Sequence, residues 1–226
     1  MVIYNRGGNR EFGKLAVGQI LFMSRLIKAF PAGILASNYR GNDGGEGKDE
    51  FGGSDIHDVL DLIEAGKKEP WWDGKNIFMV GGSRGGMMTY LAIKHGAPLN
   101  AAVAWAGPTD LFAAGKERPE MEENVHSKII PGGPEARDAE YRERSAIFWP
   151  EKLDKPLLIL HGDADWRVDV HHARDLAKKL KELKKPYSYI EFSGDDHFLT
   201  KNKDQVIPLI ADWFRSHLKQ KDSPQR

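Results

Sequence analysis

Residues 76–88, Asn-Ile-Phe-Met-Val-Gly-Gly-Ser-Arg-Gly-Gly-Met-Met, constrain the fold of this chain more than any other stretch. Ile77 to Val80 is an apolar run of strand length, and the residues leading towards His95 read as a helix. Between them lies a tight Gly-x-Ser-x-Gly turn made by Gly81, Ser83 and Gly85. Such a turn lifts its serine clear of the carboxyl edge of a sheet, because small neighbours let strand and helix approach closely. The amide of the next residue, Arg84, then points to where an oxyanion would form.

The same alternation runs along the chain. Val2-Ile3-Tyr4 reads as a short strand entering the loop Asn5 to Gly13. Ile20, Met23, Ile27 and Phe30 recur at helical spacing, predicting a helix over 19–30. Gly33 to Asn38 is a second strand, and a glycine-rich, acidic loop follows from Gly41 to Gly53. Ser54 is placed to cap the next helix, which turns Ile56, Val59, Leu60 and Ile63 inward. Ala101 to Trp105 is a further strand. Residues 109–149 are polar, helix-prone and broken by Pro119, Pro131 and Pro134, so they read as a helical insertion or cap over one end of the sheet. Pro156 to His161 is a buried strand, Val170 to Leu183 a basic helix capped by Asp169, Tyr187 to Phe192 the last strand and Gln205 to Leu218 the closing helix. The polar tail from Lys219 to Arg226 is expected to fray. Helical crossovers dictate parallel pairing. The expectation is therefore a single three-layer α/β domain over 1–226, with a mostly parallel sheet and helices on both faces.

Composition narrows the function. Lys plus Arg equals Asp plus Glu at 33 each, so no global field favours nucleic acid or an anionic membrane. No apolar run reaches the length of a membrane span, and the N-terminus has no signal-peptide pattern. The absence of cysteine excludes disulfides, thiolate metal sites and cysteine nucleophiles, and fits a cytoplasmic protein.

Loops at the carboxyl ends of parallel strands converge on one crevice. Three such loops carry what acyl transfer needs: Ser83, then Asp163 and Asp165, then His197 within Gly194-Asp195-Asp196-His197-Phe198. A serine hydroxyl becomes nucleophilic when a neutral imidazole takes its proton, and a carboxylate behind the ring fixes the tautomer. The order Ser, Asp, His is that of α/β-hydrolases. Arg84 N–H is one candidate for the oxyanion, and Gly7-Gly8 leaves further amides uncovered.

With these pieces the chain resembles the catalytic domain of the prolyl oligopeptidase family of serine hydrolases, within the α/β-hydrolase superfamily. The matching motifs are Arg6-Gly7-Gly8-Asn9, Asn38-Tyr39-Arg40-Gly41, Gly81 to Gly86, His161 to Val168 and the terminal His197. The resemblance implies Asp165 rather than Asp163 as the triad acid, with Gly8 and Arg84 as oxyanion donors. It implies no metal and no cofactor. Arg6 and Asn9 stand where the family has His and Pro, and nothing resembles the family's β-propeller. The two opening strands of the fold are also missing. That leaves 33–38 as an apolar edge strand, from which either a homodimer through that edge or a truncated chain is expected.

Without a propeller gate the site is expected to admit small carboxylic esters, making the protein a carboxylesterase-like enzyme working through an acyl-enzyme. The alternatives are a peptidase or acylaminoacyl-type hydrolase of short peptides, and a catalytically silent binding module. Trp105, Phe112, Phe148 and Trp166 are candidates to line the substrate pocket, although core packing accounts equally for Trp105 and Phe148. His161 reads as a buried structural group. His171 and His172, being adjacent, face different sides of a helix and make poor metal geometry. The acids Asp43, Glu46, Asp49 and Glu50 miss a calcium-loop spacing, and are expected to be solvated or paired with Arg6 and Arg40.

Overall fold

The computed structural model describes residues 1–219. Most of the tail expected to fray, from residue 220 on, lies outside them. Six strands form one sheet: β1 (Val2–Asn5), β2 (Ile34–Ser37), β3 (Phe78–Gly82), β4 (Ala101–Trp105), β5 (Leu157–Gly162) and β6 (Tyr187–Phe192). Their order across the sheet is β2-β1-β3-β4-β5-β6, and every neighbouring pair is parallel. Val2 pairs with Ile34 on one side and Phe78 on the other, which seats β1 and the loop after it beside the serine turn.

The long helices between strands are α1 (Val17–Ala29), α2 (Ile56–Gly66) and α3 (Arg84–Lys94), followed later by α8 (His171–Glu182) and α9 (Lys203–Ser216). Alternation along β3 assigns them to two faces. Met79 packs into a cluster with Val59 and Ile63 of α2, Met87 and Leu91 of α3, and Leu176 of α8. Phe78 and Val80 point the other way, to Leu26 of α1 and Ile210 and Phe214 of α9. Phe78 stacks on Phe214 at 4.7 Å and meets the edge of Phe30 at 5.3 Å, so three rings join β3 to α1 and α9. Burying each such ring contributes about 1.5–3 kcal/mol.

Residues 109–149 are helical, as expected: α4 (Leu111–Glu117), α5 (Pro119–Met121), a π-helical turn (Glu122–His126), α6 (Ser127–Ile129) and α7 (Gly133–Arg144). Val125, Ile129, Tyr141 and Ala146 belong to the same apolar cluster as α3, so the insertion is packed onto the core. Glu122 ties it together by accepting from Tyr141 Oη at 2.6 Å and pairing with Arg137 at 2.7 Å.

One local expectation needs correction. Ser54 does not cap α2; Asp55 precedes it with helical dihedrals, and its carboxylate turns to the Gly52 amide and to Arg84 instead. The long-range ion pair wins over the local cap. The edge strand β2 is half-buried, and Trp71 closes over its start: a Cβ at Gly33 would lie 2.3 Å from the indole.

Candidate active site

Ser83 sits between β3 and α3 with φ 58° and ψ −128°, a left-handed conformation costly for a residue with a Cβ. The strain persists because its surroundings leave no alternative. Ser83 N donates to Trp105 O at 2.9 Å, and Ser83 O accepts from Gly86 at 2.8 Å. A Cβ on Gly85 would lie 2.0 Å from Asn5 O, so only glycine lets α3 approach β1.

The acid and the imidazole come from the loops after β5 and β6. Asp165 Oδ2 lies 2.7 Å from His197 Nδ1, and both residues are buried. Asp165 Oδ1 accepts the amides of Arg167 and Val168 at 2.8 and 3.1 Å, which aims the carboxylate. Burial alone would raise the Asp165 carboxyl. Hydrogen bonds from His161 and His197, the His197 charge and the Val168 amide outweigh it and hold the group well below the usual carboxylate range. His161 is buried as expected, and its Nε2 bonds Val168 O at 2.9 Å while lying 3.3 Å from Asp165 Oδ2. Asp163 is exposed and accepts the Gly194 amide, linking the acid loop to the histidine loop. Asp195 organises the histidine loop from within, accepting the Lys201 and Asn202 amides. Nothing local in the sequence distinguishes it from Asp196.

Ser83 and His197 line one cavity of about 670 Å³, together with Gly7, Gly8 and Arg84. No direct hydrogen bond joins Ser83 Oγ to His197, and Nε2 has no partner among the described residues. The Gly8 and Arg84 amides likewise have no acceptor among the described residues. A Cβ on Gly7 would lie 3.2 Å from Ser83 Cβ, so the loop after β1 runs alongside the serine.

Two buried arginines hold that loop, in a way the sequence did not reveal. Arg6 is wholly buried yet donates to no carboxylate. Its guanidinium bonds Asn38 O twice and the carbonyls of Gly7, Arg10 and Phe12, at 2.8–3.1 Å. Burial, then the neighbouring Arg84 charge, push its pKa down. Arg84 takes the acids: Asp49 at 2.6 and 2.8 Å and Asp55 at 2.7 Å, with its guanidinium over the rings of Tyr39 and Phe51. Burial opposes ionisation of Asp49, but the Arg84 bonds and charge lower it to about 2. Arg40 pairs with Asp58 instead of the loop acids. Neither Arg6 nor Arg40 makes the pairing expected from sequence, because the acidic loop folds inward onto α3.

Trp105 and Trp166 line the cavity, whereas Phe112 and Phe148 do not. The insertion presents Leu111, Ala114 and Arg118 to it, residues spaced three and four apart on one face of α4. Phe112 is rotated off that face and packs against Tyr141 and Phe148. Met121 and His126 also reach the cavity, from a segment whose π turn no periodicity announced.

One group has the composition of a metal site. Ligand atoms of Glu117, His171 and His172 lie within 4.8 Å of one another. The two rings stack at 4.5 Å and both reach Glu117, contrary to the expectation that they diverge. Thr109 N donates to His172 Nδ1 at 3.2 Å, so the neutral ring carries its proton on Nε2, facing Glu117 Oε2 at 3.2 Å. The lone pair a metal would need is thereby occupied, and the trio serves as a hydrogen-bonded clamp between α4 and α8.

The chain is similar to known proteins in sequence and in fold. The prolyl oligopeptidase family (peptidase S9) matches residues 33–221. "Uncharacterized peptidase YtmA" of Bacillus subtilis is 30% identical over 217 residues, covering 95% of this chain and 82% of that protein. A puromycin-hydrolysing peptidase of Mycobacterium tuberculosis superposes with TM-score 0.81 at 24% identity, over 97% of this chain and 34% of its own. The acylaminoacyl peptidase of Pyrococcus horikoshii does so with TM-score 0.79 at 21% identity, over 100% and 38%. The chain thus spans only about a third of these two longer proteins, which share its α/β-hydrolase fold. On sequence and fold together, this chain belongs to the prolyl oligopeptidase family of serine hydrolases.

Proposed function

We propose that the chain is a serine peptidase acting on short, N-blocked peptides through an acyl-enzyme. The reading rests on one observation above the rest: Asp165 holds His197 Nδ1 at 2.7 Å in a cavity that Ser83 also lines. With Nδ1–H given to the carboxylate, Nε2 keeps its lone pair for the Ser83 proton. In free enzymes that last hydrogen bond is often long and tightens when substrate binds. Ser83 Oγ then attacks the carbonyl carbon, and the developing oxyanion is held by the Gly8 and Arg84 amides. His197 returns its proton to the departing amine, and water repeats the sequence to release the acid.

The expectation of an esterase gives way to its alternative, since the relatives are named as peptidases. Esters remain easier substrates for the same machinery, because their leaving groups need less protonation. A cavity of about 670 Å³ under the insertion suits a small or peptide-sized ligand. No described helix is long and apolar enough to cross a membrane, and the cysteine-free composition suits the cytoplasm. The outer edge of β2 is a candidate for pairing two copies; sedimentation as a monomer at every concentration would remove that suggestion.

The test compares kcat/KM on N-acetylalanine p-nitroanilide with the matching p-nitrophenyl ester, alongside fluorophosphonate labelling. Labelling at Ser83, lost in Ser83→Ala, with measurable anilide turnover is expected. Ester cleavage without any anilide turnover restores the esterase. Failure to label Ser83 leaves only a binding module.

A further inference from the structure

Next to the catalytic cavity lies a second one, of about 390 Å³, between α1 and α9. The two share Tyr4, Gln19, Trp105 and Phe198 in their walls, so the smaller one is an arm adjoining the catalytic cavity. Its apolar lining comes from Leu21 and Phe22 of α1 and Val206 and Ile207 of α9. Arg25 and Lys203 also line it. Both are exposed, and neither has a hydrogen bond or ion pair with any described residue. No Asp or Glu is among the lining residues. The arm is therefore apolar with uncompensated positive charge.

Its position relative to the chemistry says which half of a substrate it faces. Trp105 lies against the residue before the nucleophile: a Cβ on Gly82 would be 1.9 Å from its indole. Phe198 meets His197 edge-on at 5.3 Å between centroids. In acyl transfer the imidazole hands its proton to the leaving group, so the leaving group departs from the His197 side. An arm walled by Phe198 adjoins that side.

We infer that this arm receives the leaving-group half of a peptide, with an apolar side chain between α1 and α9 and a free C-terminal carboxylate at Arg25 and Lys203. This rests on the peptidase reading above. A volume near the lower end of small-molecule sites leaves room for about one or two residues. Peptides whose cleavage releases a short, apolar C-terminal fragment are the substrates it selects. Solvent-exposed charge contacts are worth roughly two- to threefold each, so the two cations together give about a five- to tenfold preference for a carboxylate over an amide.

The experiment compares N-acetyl-alanyl-leucine with N-acetyl-alanyl-leucinamide, as a ratio of kcat/KM within each protein. The ratio cancels any general loss in a variant. The parent chain should favour the acid about five- to tenfold, with the preference shrinking as salt is raised. In Arg25→Glu/Lys203→Glu the ratio should fall to one or below and become insensitive to salt or reverse its trend. A parent ratio near one, or a preference surviving the double reversal, overturns the inference. Binding of leucyl-leucine and leucyl-leucinamide to the Ser83→Ala chain, followed by NMR, tests the arm without turnover. Tighter binding of the acid, abolished by the double reversal, supports it even if no peptide is cleaved; equal binding of acid and amide refutes it even in an active peptidase.

Discussion

Replacing Arg6 by methionine removes a wholly buried cation whose only hydrogen-bond acceptors are main-chain oxygens. Four carbonyls, those of Gly7, Arg10, Phe12 and Asn38, lose a charged donor. Each such bond is worth about 1.5–3 kcal/mol net. The sum overstates the effect, because an unpaired buried charge itself costs several kcal/mol, recovered when it is removed. A net destabilisation of about 2–4 kcal/mol is expected, lowering Tm by roughly 5–15 °C for a chain of this size. The consequence for activity is separate. Three of the four carbonyls belong to the loop that carries Gly8, and Arg84 of α3 adds a contact from its Nη1 to Gly8 O at 3.5 Å. Once the loop relaxes, the Gly8 amide, proposed above as an oxyanion donor, leaves its place, and loss of one such donor costs about 10²–10³ in kcat. Assayed well below the variant's Tm on N-acetylalanine p-nitrophenyl ester, Arg6→Met should lose about 100-fold in kcat with KM within about threefold. Arg6→Lys, one ammonium with three donors, cannot reach four carbonyls and should fall between. A folded Arg6→Met chain with kcat within about threefold of the parent refutes the reasoning and leaves Arg6 a purely structural residue.

Other perturbations probe neighbouring parts of the same assembly. Arg84→Met strands Asp49 and Asp55 as uncompensated buried carboxylates, and should lower stability in urea by about 3–5 kcal/mol while leaving the backbone amide in place; a loss below 1 kcal/mol would contradict the importance of these ion pairs. Because the Asp49 pKa is depressed to about 2, its stabilisation is present above the unfolded value near 4 and is lost as pH falls through that window. Asp49→Asn should therefore flatten the acid limb of the stability curve between about pH 4 and 2, and an unchanged slope there would assign acid unfolding to other groups. Asp165→Asn leaves the geometry but offers His197 the wrong tautomer, and should reduce kcat about 10⁴-fold when assayed below the variant's own Tm. A reduction under tenfold would show that Asp165 does not orient the ring.

The strands, the long helices, their parallel pairing and the three loops that bear Ser83, Asp165 and His197 are legible along the chain. Each is written in contiguous residues: an apolar run, a glycine turn, a helical period. Crossover helices then leave the strands no other direction. Residues 81–85 even dictate their own strained turn, since the glycines that permit it lie beside the serine. Where distant side chains find partners is settled only by folding. Asp49 looks like a solvated loop acid until the loop folds onto α3, where Arg84 collects it together with Asp55. Arg6 carries no local sign that it will bind carbonyls instead of acids, because its acceptors come from two separate loops. Whether Phe112 or Ala114 faces the cavity depends on how α4 is rotated against the rest of the insertion, and that rotation is set by packing. The arm between α1 and α9 has no sequence signature, because its lining is drawn from both helices, β1, β4 and the histidine loop. Local backbone preference acts over a few residues and can be read along the chain. Charge pairing and cavity shape depend on distances between segments that are neighbours only after the chain has folded.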